Sequence, residues 1–175
     1  METVSIDDLE PEPDDEELHT DRRDIAAPLN ADHVAIVRYV LEPGERFSGS
    51  VHAHADQEEV FVVLEGEATF EIGGVASESD SEPETREVAV GENEAIRFAP
   101  GEFQSGRNAA DEQLVALALG APRESEDVRI SQIPVLDDRS VDCPDCGRDN
   151  MRISRREDVD FECPDCDATL SLEAE

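Results

Sequence analysis

Two histidines stand one residue apart in His52-Ala-His54, and a carboxylate follows at Glu59. In an extended strand residues i and i+2 face the same way, so this spacing aims both imidazoles into one space. Two imidazoles and a carboxylate converging there form a facial triad. That donor set suits Fe2+, also accepts Mn2+ or Zn2+, and leaves coordination positions open for substrate or dioxygen. Glu58 adjoins the triad, but strand alternation sends it to the opposite face, so Glu59 is the expected ligand. The bland alternative is that His52, His54 and Glu59 are polar residues on a barrel rim.

A second set of donors lies near the C-terminus. Cys143-Pro-Asp-Cys146 and Cys163-Pro-Asp-Cys166 contain all the cysteines of the chain. Two residues between paired thiolates let one tight turn present both sulfurs to one ion, and two such turns close a tetrahedral shell suited to structural Zn2+. A disulfide framework does not fit a reducing compartment, and a redox motif needs one such pair rather than two. So short a module with few apolar residues draws its folding energy from the metal. Between the pairs, Met151 to Ser154 and Val159 to Phe161 are predicted strands across a turn at 155–158. Arg148, Arg152, Arg155 and Arg156 cluster here, either as a surface for a nucleic acid or protein partner or as compensation for local acids.

The triad needs strands to position it, and the pattern supplies them. Ala35 to Leu41, Glu59 to Leu64, Ala68 to Ile72, Glu87 to Val90, Ala95 to Phe98 and Gln113 to Leu119 are short segments rich in β-branched and aromatic residues. Pro-Gly, Gly-Gly and Gly-Glu-Asn turns separate them at spacings that suit an all-β sandwich or barrel. Ser77 to Thr85 is too polar for a strand and reads as an exposed hairpin loop. Four regions follow: an acidic flexible arm at 1–24, a barrel at 25–121, a linker at 122–140 and a four-cysteine zinc ribbon at 141–175. Within the linker, Val128 to Ile130 and Ile133 to Leu136 are candidate docking strands.

The segment Gly44, His52-Ala-His54, Glu59, Gly66 resembles the first motif of the cupin superfamily, with a first loop two residues longer than the family pattern. Asn93, Ala99-Pro-Gly101, Gln104 and Asn108 resemble the second motif with its spacing intact. Asn93 stands for a turn glycine, which is tolerable because Asn reaches left-handed conformations readily, and Ala99 stands where the family has proline. Gln104 stands where the family has its last metal histidine, as a weak fourth ligand or a substrate contact. The resemblance implies a single double-stranded β-helix (jelly-roll) barrel and a metal held by His52, His54, Glu59 and Gln104. Phe61, Val63, Phe70, Phe98 and Phe103 are expected to line its pocket. It implies no single reaction, since cupins include dioxygenases, isomerases, decarboxylases and ligand-binding regulators.

Composition narrows the partners. The chain carries 46 acids against 14 cations, every one an arginine, for a formal net charge of −32. So negative a surface disfavours nucleic acid and anionic lipid. Lysine-free, acid-rich composition resembles that of halophilic archaeal proteins, and with the cupin and ribbon motifs the chain resembles haloarchaeal cupin-domain proteins; folding is then expected to depend on salt. No apolar run reaches the roughly 20 residues of a membrane span, and Met1 to Glu17 lacks the basic start of a signal peptide, so a cytoplasmic protein is expected. Two functions remain: a metal-dependent enzyme, dioxygenase or isomerase, on a small molecule, or a ligand-sensing or interaction protein whose ribbon docks a partner. A homodimer paired through edge strands is expected.

Overall fold

The computed structural model describes residues 1–12, 18–73 and 85–172. Its strands are β1 (Asp21–Asp24), β2 (Ala35–Leu41), β3 (Val51–His54), β4 (Glu58–Glu65), β5 (Glu67–Ile72), β6 (Arg86–Gly91) and β7 (Ala95–Phe98). They continue with β8 (Gln104–Arg107), β9 (Leu114–Ala121), β10 (Val128–Ile133), β11 (Arg139–Ser140), β12 (Met151–Ile153), β13 (Phe161–Glu162) and β14 (Thr169–Leu170). One sheet runs β1-β2-β9-β4-β7 and the other β14-β13-β12-β10-β3-β8-β5-β6, with β11 beside β10. The two sheets face each other across one core, the all-β architecture expected, with a small four-cysteine module at its C-terminal end.

The core is aromatic. Phe47 stacks on Phe70 at 5.7 Å, Phe61 tilts against Phe70 at 4.9 Å, and Phe98 closes on Phe70 at 5.4 Å. Offset and edge contacts of this kind add about 0.5–1.5 kcal/mol per pair beyond area burial. Turn chemistry holds the strand ends in place. Asn93 has φ 64°, the left-handed conformation foreseen for it, and donates its N–H to Val63. Gly66 has φ 79°, and a Cβ there would lie 2.5 Å from the Gln113 carbonyl oxygen, so only glycine fits between β4 and β5.

Asn108, the last residue of the second motif, is completely buried and ties three backbone groups together. Its amide donates to the carbonyls of Leu41 (2.9 Å) and Glu112 (2.8 Å), and its oxygen accepts from the Ala110 N–H (3.1 Å). Asn108→Ala leaves those groups unpaired, and the expected cost is about 3 kcal/mol. A shift of the urea midpoint at unchanged slope measures it; an unchanged midpoint refutes this role.

Two regional expectations are corrected. Residues 21–24 are not part of a free arm: they form β1, in register with Val37 to Val40 on β2. The Arg23 guanidinium donates to the Ile6 and Asp7 carbonyls and so fastens the short 3-10 turn at Ile6–Asp8 to the barrel. Asp21 in turn accepts from Arg23 and Arg38, so side-chain ion pairs, invisible to apolar patterning, make this polar strand. Residues 13–17 lie outside the described residues, as do residues 77–84 of the hairpin loop expected over Ser77 to Thr85.

The linker expectation fails more informatively. Residues 128–133 form β10, whose one edge pairs with β3 and whose other edge pairs with β12. Ile130 stands opposite His52 on one side and Met151 on the other. Ile130 and Ile133 are buried with Val141, Met151 and Phe161 in a second core. The expected docking strand at 128–130 is thus real, whereas 134–136 is a 3-10 turn.

Candidate metal centre

β3 alternates cleanly. Val51 and Ala53 point one way and pack with Phe103, while His52 and His54 point the other way into the barrel. Their rings meet edge to face at 5.3 Å. Glu59 comes from the opposite sheet, held on β4 between Phe98 of β7 and Gly120 of β9. His54 Nε2 lies 3.5 Å from Glu59 Oε1, and ligating atoms of His52, His54 and Glu59 all fall within 4.8 Å of one another. Glu58 faces away and pairs with Arg97, as alternation requires.

Gln104 sits directly across from His52 in the β3–β8 pair and is 2% exposed. Its amide nitrogen donates to Glu59 Oε2 at 3.2 Å and lies 3.2 Å from His52 Nε2. Gln104 therefore bridges two of the donors through its NH2 group, and ligation through its oxygen would require that amide to turn over. On the other side of the ring, His52 Nδ1 lies 3.2 Å from Ser48 Oγ, and that hydroxyl donates to the Ser50 carbonyl at 3.1 Å. A proton on Nδ1 satisfies this chain and leaves the Nε2 lone pair to accept from the Gln104 amide.

Burial sets the charge states. It pulls His52 down to about 4, helped by neighbouring His54 and opposed by the Ser50 carbonyl. His54 is lowered by burial as well, against the pull of Asp56. Glu59 is pushed up to about 7 by burial, with the Gln104 hydrogen bond acting against the shift. Neutral imidazoles beside a carboxylate that is costly to ionise alone are the donor chemistry a divalent cation relieves.

The triad opens on a cavity of about 330 Å3, at the small end of ligand sites. Of the expected pocket residues only Phe61 lines it. Val63, Phe70 and Phe98 are buried in the aromatic core, and Phe103 lies behind β3 because it packs on the Val51 and Ala53 face. The wall is instead completed by Val37, Tyr39, Phe47 and Leu119, together with Arg22, Gln57, Arg123 and Ser125. None of these polar residues lies in a recognisable motif. Arg22 and Arg123 stand in segments whose strand or loop character apolar patterning does not resolve.

The cysteines form two matching turns. Cys143 N–H donates to the Arg148 carbonyl and Gly147 N–H to that of Cys143; Cys163 N–H donates to the Ala168 carbonyl and Asp167 N–H to that of Cys163. Sulfur separations of 3.5 Å (Cys143 to Cys166) and 3.6 Å (Cys146 to Cys163) are far longer than a disulfide bond of about 2.05 Å. Backbone hydrogen bonding at Cys146 leads the effects that hold the Cys143 thiol down to about 6. The Ala168 N–H favours the Cys166 thiolate too, yet the other sulfurs push that thiol up to about 12. Four thiolates this close ionise together only around a cation.

The module's arginines are occupied. Arg148 pairs with Asp165, Arg152 with Glu162 (3.3 Å), Arg156 with Asp158 (3.0 Å), and Arg155 faces Glu126 at 3.8 Å. Among the described residues no helix is long and apolar enough to cross a membrane.

Residues 37–120 match the family model of the Cupin domain (Cupin_2). Among solved structures the chain is similar to a sugar phosphate isomerase from a cupin superfamily of Silicibacter pomeroyi, with TM-score 0.63, 16% identity and coverage of 98% of this chain and 97% of that one. It is similar also to oxalate decarboxylase of Lactobacillus farciminis (TM-score 0.54, 18% identity, 70% of this chain and 34% of that one). A third is an uncharacterized conserved protein with a double-stranded beta-helix domain from Klebsiella pneumoniae (TM-score 0.51, 18% identity, 70% of this chain and 91% of that one). No curated protein matches the sequence. At these identities the likeness is one of fold.

Proposed function

With a cupin domain over residues 37–120 as the premise, we propose that the chain acts on a small molecule at a divalent transition metal held by His52, His54 and Glu59. The observation that carries this reading is the convergence of the three donors from two facing sheets onto one side of a cavity. Bound there, Fe2+, Mn2+ or Zn2+ would act as a Lewis acid with open positions, suited to dioxygenase-type chemistry or, as in the names of fold relatives, isomerisation.

The chain's own side chains do the remaining work. Ser48 and Ser50 set the His52 tautomer. Gln104 holds the Glu59 carboxylate in place, and Tyr39, Phe47 and Phe61 form an apolar wall that limits water. Cys143, Cys146, Cys163 and Cys166 hold structural Zn2+.

A second reading, a ligand-sensing or interaction protein, is favoured by β10, which joins the cysteine module to the strand bearing both histidines. Metal per chain separates the two. Protein purified anaerobically in high salt without chelators is expected to hold about one zinc plus about one iron or manganese, and His52→Ala/His54→Ala to lose only the second. Wild type with one zinc and nothing else overturns the barrel site and leaves the sensing reading.

A further inference from the structure

The polar groups around the cavity are unequal in what they can still bind. Gln57 uses its amide N–H groups on the carbonyls of Pro122 (2.6 Å) and Arg123 (3.4 Å). Ser125 donates to Asp56 and Ser48 to Ser50, so neither hydroxyl proton is free. Arg22 pairs with Glu12 and donates to the Tyr39 hydroxyl at 3.0 Å, lying over that ring.

Arg123 is different. One guanidinium nitrogen donates to the Ala31 carbonyl at 2.8 Å, and another makes a long ion pair with Asp24 at 3.9 Å. The Ala26 and Ala27 N–H groups bond to the other oxygen of Asp24. Among the described residues these two contacts leave further donors of the planar Arg123 fork for the cavity it lines.

Its backbone is also fixed. Gln57 grips the carbonyls of residues 122 and 123, and Gly120 leaves space for that grip: a Cβ at Gly120 would lie 2.8 Å from the Gln57 amide nitrogen. Gln57 and Gly120 therefore fix the backbone that carries Arg123 on the cavity wall.

We propose that the cavity selects a small organic anion whose carboxylate or phosphate is held by Arg123 while its other end faces His52, His54 and Glu59. This rests on the reading of the cavity as the ligand site, but not on which metal fills it. A neutral polyol would meet donors already committed within the protein, whereas an acid group matches the fork of the guanidinium.

Ligand-observed NMR titrations of the full-length, metal-loaded chain with glycerate, glycerol 3-phosphate and glycerol at fixed salt test it. The expected result is saturable binding of at least one acid, with glycerol weaker by about tenfold or more. The two acids distinguish carboxylate from phosphate. Arg123→Gln is expected to erase the preference and Arg123→Lys to retain part of it, with unchanged zinc content and urea midpoint reporting intact folding.

Glycerol bound as tightly as both acids, no saturable binding of either acid, or an Arg123→Gln variant with undiminished preference overturns the proposal. Metal analysis of the same samples keeps the two readings apart. Arg123-dependent acid binding without barrel metal sinks the metal reading alone; barrel metal without acid preference sinks this one alone.

Discussion

Glu59→Gln is expected to stabilise the barrel-metal-free protein by about 3 kcal/mol at pH 8 and to abolish barrel metal binding. Burial pushes the folded carboxyl up to about 7 from an ordinary 4.5, so the native state holds this proton more tightly than the unfolded chain. The stabilisation from protonation is complete below pH 4.5 and is lost as pH rises through 7; 2.5 pH units at 1.36 kcal/mol each give the magnitude. Glutamine keeps the shape and an acceptor for Gln104 without the charge. The gap between variant and wild type should close towards pH 4.5, while the low folded-state value of His52, common to both, cancels from the comparison. Urea unfolding followed by circular dichroism at pH 5 and pH 8 in constant KCl measures the gap. A variant no more stable than wild type at pH 8, or a gap independent of pH, refutes the assignment. A site whose removal stabilises the fold is maintained for something other than stability.

Much of this site is legible in the sequence because its geometry is local. His52-Ala-His54 needs only strand alternation to aim both rings together, and the structure places them so. β2 and β7 coincide with their predicted spans because both are apolar runs bounded by turns. What escaped notice depends on partners distant in sequence. β1 is polar and exists through ion pairs with β2, and β8 is a short strand defined by the strands on either side of it. Arg123 reaches the cavity only because β9 ends beside Gln57, sixty-six residues away in sequence. The pocket residues were misjudged for another reason. Aromatic side chains fill a barrel before they line it, so Phe70 and Phe98 became core while smaller Ala118 and Gly120 left the open space.

Removal of the zinc proposed at the four cysteines is expected to unfold residues 141–172 and to loosen β10 with them, leaving the aromatic barrel folded. The module's core consists of Val141, Met151, Phe161, Cys143 and Cys163 with Ile130 and Ile133 of β10, too little apolar area to hold without a metal contribution on the order of 10 kcal/mol. β10 then loses its β12 partner and the cover over both isoleucines, keeping only its bonds to β3. β3 carries His52 and His54 opposite Ile130 and Val128, so their placement becomes less fixed. Cys163→Ala should therefore weaken barrel metal binding by about tenfold, a coupling of ordinary allosteric size, although Cys163 lies in the other metal site. Hydrogen exchange of the intact variant chain by mass spectrometry should show protection lost over residues 128–133 as well as 141–172, with residues 59–72 unchanged. Protection retained at 128–133, or unchanged barrel metal affinity after the module has unfolded, would make β10 part of the barrel alone and the two sites independent.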